Sequence, residues 1–442
     1  MRVNIVYELN NREFNHCVLL QREMIRRGYD ARIYNKTESM VLSNKESITI
    51  IPNSYRKGDV DYYRYVFNTR NHLVVVYPCE QINNHQLPEF FDHSPGNPVK
   101  KLPHLCWGDD YYHFIQSLGY DMTYSKITGA MHLDFCRKEF RSLFCSRSEL
   151  GERFHIPAEK KWILFISDFV HGSRVMTAQL IKSGDAKKNI LMAKHELEKK
   201  TCREILNWFA RFLDGHEDYI VIYRKHPAEM ITEETLDVIK RYEGRMYAIS
   251  DLSIKEWIFN CDHIATWYST AVVECFAADR KIMLLRPYGF TEESKMKEYS
   301  FYREFHKIRD YQDFETVVLN GGCEYPQDTI HKICGLYCTE EKPSFQKVAD
   351  AIEQIASEWK IGEQERWFFC KRWFYCLRKF LPLKIVIKKL YQLLYVRLGI
   401  DLSSQSDSRY AVLEWKASAD NKGKVKELCV QIDEILNAQF PI

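Results

Sequence analysis

The sequence feature that most constrains the fold is a repeated alternation of short apolar runs and helix-like segments between residues 219 and 287. The first run, Tyr219–Tyr223, consists only of β-branched and aromatic residues, which predicts a buried strand. Further runs end near Ser250 or span 263–266 and 281–285. Strands that alternate with helices form a parallel sheet, whose ligand-binding groups lie at the carboxyl ends of the strands. The stretch therefore predicts an α/β domain with its functional groups at one sheet edge.

Two polar segments follow these predicted strands. The first contains Arg224, Lys225, His226 and Pro227; the strand should end there, because proline has no N–H to donate. The second contains Ser269 and Thr270, and it precedes a helix-like segment with Glu274. A helix that begins at this hydroxyl pair would offer free N–H groups and a positive dipole end to an anion. The pattern predicts a phosphate site without a bound metal, although a simple turn and an ordinary helix cap explain the same residues. Ser253 is expected to cap a short helix over residues 254–259.

A similar alternation occurs nearer the amino terminus. Strand, helix and strand are predicted over Arg2–Tyr7, Phe14–Gly28 and Asp30–Tyr34, without a Gly-x-Gly-x-x-Gly fingerprint. The valine-rich run Leu73–Tyr77 predicts a central strand that leads to Glu80, and the run 161–166 predicts a strand that leads to Asp168. The chain is therefore expected to form two Rossmann-like domains.

Composition limits the remaining possibilities. A length of 442 residues is sufficient for two core-forming domains, and a net charge of +3 gives no reason to expect nucleic acid as a partner. The 14 cysteines show no Cys-x-x-Cys spacing, so reduced thiols in a cytoplasm are expected. No run reaches the roughly 20 apolar residues that a membrane-spanning helix requires.

The two polar segments resemble the paired His-Pro and Ser-Ser/Thr motifs of a known family. Tyr223–Pro227 and Trp267–Thr270, followed by Glu274, are similar to those of bacterial surface carbohydrate biosynthesis proteins. That group resembles polysialyltransferases, capsular Kdo transferases and CDP-glycerol glycerophosphotransferases. The resemblance extends over about residues 1–355. It implies a GT-B architecture, in which two Rossmann-like domains face a cleft and a C-terminal helix, here over 345–359, packs back across it.

The resemblance also implies roles for individual residues of the donor site. His226 and the hydroxyl pair Ser269 and Thr270 would contact the phosphate of a cytidine-nucleotide donor, and the histidine would assist departure of the leaving group. The remaining residues assigned to donor binding are Arg224, Lys225, Pro227, Ser253 and Glu274.

Other residues are assigned to the acceptor side and the cleft. The family's acidic pair followed by glycine corresponds to Glu80, the expected catalytic base, with Gln81 in place of the glycine. Arg12 and Glu13 match an Arg-Glu pair that would reach a substrate anion, although a loop salt bridge explains them equally well. Gly129 matches the last loop of the first domain, where residues 130–132 depart from the family pattern, and Asp168 would face the cleft.

The segment 366–397 contains nine Lys and Arg residues and no Asp or Glu, with many aromatic residues interleaved. Such segments lie on anionic membranes, where rings insert at the headgroup level and cations are attracted to the surface. A basic helix packed on the protein surface is the alternative.

Together these features predict a cytoplasmic glycosyltransferase of capsule or lipopolysaccharide synthesis, peripheral on the inner face of the cytoplasmic membrane. It would use no cofactor and no metal, and would move a sugar with inversion from a nucleotide-activated donor to a glycan or lipid-linked glycan. The expected domains are 1–155 for the acceptor, 156–360 for the nucleotide donor and 361–442 for membrane association. The alternatives are a CDP-polyol phosphotransferase and a non-catalytic GT-B scaffold.

Overall fold

The computed structural model describes residues 1–8, 10–35, 47–55, 72–81, 91, 97–173, 185–226, 228–339, 341–358 and 425–440. The chain divides into two compact units. The first contains Met1–Asp134 and Cys334–Ile442, and the second contains Phe135–Ile333. Each unit is built around a parallel sheet, which confirms the predicted α/β class.

The sheet of the first unit has the strand order β2-β1-β3-β4. The strands are β1 (Arg2–Tyr7), β2 (Asp30–Asn35), β3 (Ser47–Ile51) and β4 (His72–Val76). Helix α1 (Asn10–Arg26) connects β1 to β2 and is followed by Gly28, whose φ of 87° confirms its predicted place after the helix.

Shorter elements complete the middle of this unit. Strands β5 (Leu105–Cys106) and β6 (Lys126–Ile127) form a two-stranded parallel sheet, with helix α2 (Asp109–Ser117) between them. Helix α3 (Met131–Asp134) ends the first part of the unit.

The second unit has a six-stranded parallel sheet of order β12-β11-β10-β7-β8-β9. The strands are β7 (Lys161–Ile166), β8 (Tyr219–Arg224), β9 (Met246–Ala248), β10 (His263–Thr266), β11 (Met283–Leu285) and β12 (Lys307–Ile308). The buried apolar runs seen in the sequence are the strands, and large aromatic side chains such as Trp162 and Phe165 fill the core around β7.

The helices of this unit alternate with the strands. They are α4 (Arg147–Phe154), α5 (Asp185–Gly215), α6 (Glu233–Arg241), α7 (Ile254–Asn260), α8 (Val272–Ala277) and α9 (Tyr311–Leu319), and α10 (Gln327–Tyr337) follows at the boundary with the first unit.

The segment 135–155 packs with the second unit, although the sequence places the division between residues 155 and 156. The Arg141 guanidinium lies 4.0 Å from the centroid of the Phe259 ring and donates to the Phe259 carbonyl at 2.8 Å. Arg147 forms an ion pair with Asp262 at 2.9 Å. These contacts are made by charged side chains, so local composition suggested only a connecting segment.

The chain returns to the first unit at Cys334, and helix α11 (Ser344–Glu358) packs against α1. The Arg27 guanidinium forms ion pairs with Asp350 at 2.8 Å and Glu353 at 2.7 Å. The Asp134 carboxylate accepts hydrogen bonds from the N–H groups of Ser344 and Phe345, which satisfies the amino end of α11.

A final helix, α12, spans residues 425–439 and also packs in the first unit. Its Ile432 and Leu436 side chains are fully buried, and Asp433 accepts two hydrogen bonds from Arg22 of α1. The basic segment 366–397 lies outside the described residues. Among the described helices, none is long and apolar enough to cross a membrane.

Candidate active site

The order of the second sheet determines which loops lie together. Strand β7 lies between β8 and β10, and all three run parallel. The loops that carry His226 and Ser269 therefore share one sheet edge, as predicted, but the loop that carries Asp168 separates them. Neighbouring strands are about 4.8 Å apart, so these three loops follow strands that span about 10 Å.

The His226 ring is exposed and has a defined hydrogen bond. Its Nδ1 accepts from the N–H of Ala228 at 3.1 Å. A neutral ring in this arrangement bears its proton on Nε2, which leaves that nitrogen a donor. Pro227 lies outside the described residues.

The Glu229 side chain holds the His226 loop and the Asp168 loop together. Its carboxylate is buried and accepts hydrogen bonds from Tyr223 Oη at 2.6 Å, Ser167 Oγ at 2.7 Å and the Phe169 N–H at 3.0 Å. It also accepts a longer bond, 3.3 Å, from the His226 N–H. Sequence reasoning missed Glu229, because nothing local distinguishes it from a solvated glutamate.

Two cations of the predicted donor set take part in this loop structure. Lys225 Nζ donates to the Glu229 carbonyl at 3.1 Å. Both Nη atoms of Arg224 donate to backbone carbonyls, those of Asp251 at 2.8 Å and Leu252 at 2.7 Å. Burial lowers the pKa of the Arg224 guanidinium. Arg224 thus fixes the loop before α7, in which Leu252 has a φ of 65°.

The predicted cap of α7 is present. Ser253 precedes the helix, and its Oγ accepts from the Lys255 N–H at 3.2 Å. Burial raises the pKa of the Glu256 carboxyl in the first turn. Ser253 therefore uses its hydroxyl oxygen to end the loop that Arg224 holds.

Helix α8 begins at Val272, three residues after the predicted start at Ser269. The Ser269 Oγ accepts from the Ala271 N–H at 3.2 Å, and the Thr270 carbonyl accepts from the Val273 N–H at 3.0 Å. This side-chain turn takes up an N–H that a helix starting at Ser269 would leave free. The two hydroxyl residues thus form a half-buried turn before a short helix.

The remaining acid of this motif, Glu274, lies in α8. Burial raises the pKa of its carboxyl, and the charge of Lys255 partly offsets the effect. The neighbouring charge, Lys255, belongs to α7.

A buried arginine that was not predicted from the sequence binds the backbone just before Ser269. Arg286 follows β11 and is 1% exposed, and its Nη2 donates to Glu298 Oε1 at 2.6 Å. Its Nη1 donates to the Trp267 carbonyl. Trp267 stacks on Phe169 with a centroid separation of 5.0 Å, which joins the Ser269 and Asp168 loops through their aromatic neighbours.

Two further carboxyl groups, those of Glu198 and Glu229, lie near Asp168. Burial, followed by the charges of Glu198 and Glu229, raises the pKa of Asp168 to about 8. Burial also raises the pKa of Glu198 to about 7, although this carboxyl accepts from the N–H groups of His171 and Gly172. In the described part of the chain, no group of three or more His, Cys, Asp or Glu residues is arranged to hold a metal ion.

In the first unit, Glu80 is exposed after the end of β4, and its neighbour Gln81 is buried. The Gln81 amide donates to the carbonyls of Pro78 at 2.9 Å and Leu105 at 3.1 Å, and its oxygen accepts from the Trp107 N–H at 2.6 Å. Gln81 therefore fills a polar position in the fold, which explains how this chain accommodates a glutamine after Glu80.

The other predicted residues of the first unit have structural contacts. The Glu13 carboxylate is buried and accepts from the Glu8 N–H at 2.6 Å, whereas the side chain of Arg12 lies outside what the structure describes. Gly129 has a φ of 83°, and a Cβ there would lie 2.3 Å from Ser344 Oγ. Its carbonyl accepts from Tyr77 Oη at 3.1 Å.

No protein-family model matches the chain, and no curated protein sequence matches it significantly. Solved structures do match. A Listeria monocytogenes protein described as a UDP-N-acetylglucosamine 2-epimerase has 10% identity and a TM-score of 0.51, with 81% of this chain and 98% of that chain covered.

Two further structures give similar values. The Neisseria meningitidis UDP-GlcNAc 2-epimerase bound to UDP-GlcNAc has 9% identity and a TM-score of 0.50, covering 80% of this chain and 100% of that one. A variant of the wall teichoic acid polymerase TagF, soaked with CDPG, has 10% identity and a TM-score of 0.50, covering 81% and 89%. These are GT-B proteins, and the likeness shows the fold: this chain has the GT-B fold with two Rossmann-like domains.

Proposed function

We propose that this protein is a glycosyltransferase of bacterial surface-polysaccharide synthesis that uses a nucleotide-linked donor. The observation that carries the proposal is the geometry of His226 at the carboxyl edge of the second sheet. Its Nδ1 accepts from the Ala228 N–H, so Nε2 is the nitrogen that bears the proton of the neutral ring. Ser269 and Thr270, which carry hydroxyl groups, follow β10, and the carboxyl end of β10 lies on the same side of the sheet as that of the His226 strand.

The proposed chemistry is stabilisation of the leaving group. When a sugar departs from a nucleotide, negative charge develops on the phosphate that it leaves. Donors fixed in advance at that position lower the barrier. His226 and the Ser269–Thr270 turn would supply hydrogen bonds, and Lys225 would supply a positive charge nearby. The buried Glu229 carboxylate would keep the His226 loop in this geometry.

The GT-B fold supports a nucleotide-linked donor. Among proteins of similar structure, one epimerase is bound to UDP-GlcNAc and the teichoic acid polymerase is soaked with CDPG. The resemblance of the His-Pro and Ser-Thr motifs to those of surface carbohydrate biosynthesis proteins favours a cytidine nucleotide, CMP- or CDP-linked, over a uridine nucleotide. No resident cofactor and no metal is part of the proposal.

The acceptor, a glycan or a lipid-linked glycan, would use the first unit. Glu80 is exposed at the carboxyl end of a parallel strand, which suits a carboxylate that removes a proton from an acceptor hydroxyl. Attack by that hydroxyl as the nucleotide leaves is a single displacement, so the anomeric configuration would invert.

A CDP-polyol phosphotransferase is the second candidate, favoured by the structural similarity to the teichoic acid polymerase. It would use the same phosphate site, but the phosphate next to the polyol would move to the acceptor. A donor labelled at that phosphorus distinguishes the two, since only phosphotransfer places the label in the polymer. A protein that binds no nucleotide would fit the third possibility, a non-catalytic GT-B scaffold.

We further propose that the protein acts at the cytoplasmic face of the membrane. The basic, aromatic segment 366–397 supports this location through its composition alone. Synthesis of capsule or lipopolysaccharide on a lipid-linked acceptor would be consistent with such attachment.

A nucleotide screen by thermal shift tests the donor site. CMP and CDP should raise the unfolding temperature, and His226→Ala should remove most of the increase. His306→Ala is a matched control, because His306 is also exposed but precedes β12, at the amino-terminal edge of the same sheet. Stabilisation by UDP or GDP without any effect of CMP or CDP would overturn the cytidine assignment.

A further inference from the structure

Asp168 occupies the middle of the proposed phosphate edge. It is the second residue after β7, the strand that separates the His226 strand from the Ser269 strand. Its side chain is half-buried. An anion that contacts both outer loops of this edge would therefore lie against the Asp168 loop.

The fold holds both sequence neighbours of Asp168 but not its carboxyl. Ser167 Oγ and the Phe169 N–H each donate to Glu229, at 2.7 and 3.0 Å. Among the residues that the structure describes, the Asp168 carboxyl has no hydrogen-bond partner and no ion pair. The backbone on each side is thus fixed, while the carboxyl oxygens remain available to a ligand.

The surroundings of Asp168 disfavour a negative charge. Glu198 faces it from helix α5, Glu229 from the loop after β8, and Tyr299 from the segment before residues 300–302. Burial and the two neighbouring carboxylates raise its pKa to about 8. A carboxyl in such a place remains neutral near pH 7 and can donate a hydrogen bond.

We propose that Asp168 binds the donor phosphate as a neutral carboxylic acid, with its O–H donating to a phosphate oxygen between the His226 and Ser269 loops. This inference rests on the proposed function, since it requires a phosphate at this edge. It explains why an acidic side chain stands where an anion is expected: the neighbouring carboxylates keep it protonated. The ionised form would instead repel the phosphate.

The test is the affinity for CMP between pH 7 and 9, measured by isothermal titration calorimetry. Asp168, whose pKa is raised to about 8, loses its proton within this range, and Asp168→Asn separates that change from the titration of other groups. Wild-type affinity should fall about tenfold, because each unit above the Asp168 pKa removes a factor of ten of the acid form. Binding at pH 9 should also take up a proton.

Three variants make the result specific. Asp168→Asn retains a donor without a charge, so its affinity should be independent of pH and should exceed wild type at pH 9. Asp168→Ala should bind more weakly than wild type at pH 7 and lose the pH dependence. Glu198→Gln removes a neighbouring charge, so the loss of affinity should move to lower pH. An affinity that is constant or rises between pH 7 and 9 would overturn the inference.

A second measurement separates this inference from the proposed function. Infrared difference spectra of the nucleotide-free protein, wild type against Asp168→Asn, should show a protonated carboxyl at pH 7 and its loss by pH 9. An ionised Asp168 at pH 7, together with normal CMP binding, overturns only the neutral-acid role. A protonated Asp168 in a protein that binds none of CMP, CDP, UDP or GDP overturns the donor site itself, and this inference with it.

Discussion

Arg224 and His226 are two residues apart, and both are assigned to donor binding from the sequence, yet their polar atoms are used differently. Both Nη atoms of Arg224 are bound to the carbonyls of Asp251 and Leu252. His226 is exposed and has its Nδ1 satisfied by its own loop. At residue scale, the distinction between a side chain that shapes a site and one that faces a ligand depends on such contacts.

The position of His226 just after a strand could be predicted from the sequence, but the residues that hold its loop could not. A histidine before a proline at a strand end is visible in a local pattern, because both residue types are unusual there. Glu229 and Arg286 are charged residues that become buried only through tertiary contacts. Their sequence neighbours give no sign of that burial, so no periodicity could identify them.

Glu80→Gln is expected to lower turnover by a factor of about 10²–10⁴, the range usual for loss of a general base. The amide cannot accept the acceptor's proton, but it keeps the size of the side chain. The measurement is the rate of nucleotide release with acceptor present, and CMP binding by thermal shift is the control, since Glu80 belongs to the unit without the proposed donor edge. A fully active variant would show that another group is the base.

At the scale of elements, local patterns predicted those strands in which burial and residue type coincide, and they missed β3 and β12. Strands β8 and β10 and the cap of α7 were correctly predicted. The start of α8 was not: the Ser269 side chain competes for the Ala271 N–H and delays the helix to Val272. The segment 135–155 packs with the second unit through cation–ring and ion-pair contacts that composition could not reveal.

The start of α11 packs so closely against Gly129 that no side chain fits there. Gly129→Ala should lower the free energy of unfolding by about 3 kcal/mol, as the sum of left-handed backbone strain and local overpacking. The new Cβ would lie 2.3 Å from Ser344 Oγ and 3.0 Å from Ser344 Cβ. Urea unfolding measures the loss.

Ser344→Gly provides the matched control for this prediction. In the double variant the steric part of the cost should disappear, while the strain of a φ near 83° remains. If Gly129→Ala alone is as stable as wild type, the close approach of Gly129 to α11 does not constrain this junction.

At the scale of the whole molecule, the first unit is assembled from both ends of the chain, and the second is one continuous segment. The alternation of strands and helices follows largely from sequence, because strands such as β7, β8 and β10 are local apolar runs, whereas β2 and β12 contain charged residues. The return of the chain to the first unit rests on distant contacts, such as that of Asp134 with the amino end of α11.

Because α12 belongs to the first unit, a test of membrane binding by the segment 366–397 should leave α12 in the protein. Replacement of residues 361–424 by a Gly/Ser linker should abolish binding to anionic vesicles and leave CMP stabilisation unchanged, because α12 stays in place. Residual wild-type binding at high salt should reflect inserted rings, since salt screens only the charges. Vesicle sedimentation measures both.

Truncation after residue 360 is the informative comparison. It removes α12 as well, uncovers the apolar surface that Ile432 and Leu436 bury, and should therefore destabilise the first unit. A linker variant that still sediments with vesicles would assign membrane attachment to another surface or to a partner protein.

The association of α12 with α1 can also be treated as intramolecular binding, in which α12 is either docked on α1 or released from it. The covalent connection through residues 359–424 keeps α12 in the same molecule as α1, so the effective concentration of α12 is set by that connection and does not fall on dilution. A docking surface of a few buried side chains and the Arg22–Asp433 pair can therefore stay occupied with only modest intrinsic affinity. A separate peptide of residues 425–442 would have to reach that concentration to replace it, so cleavage of the connection would release α12 in dilute solution.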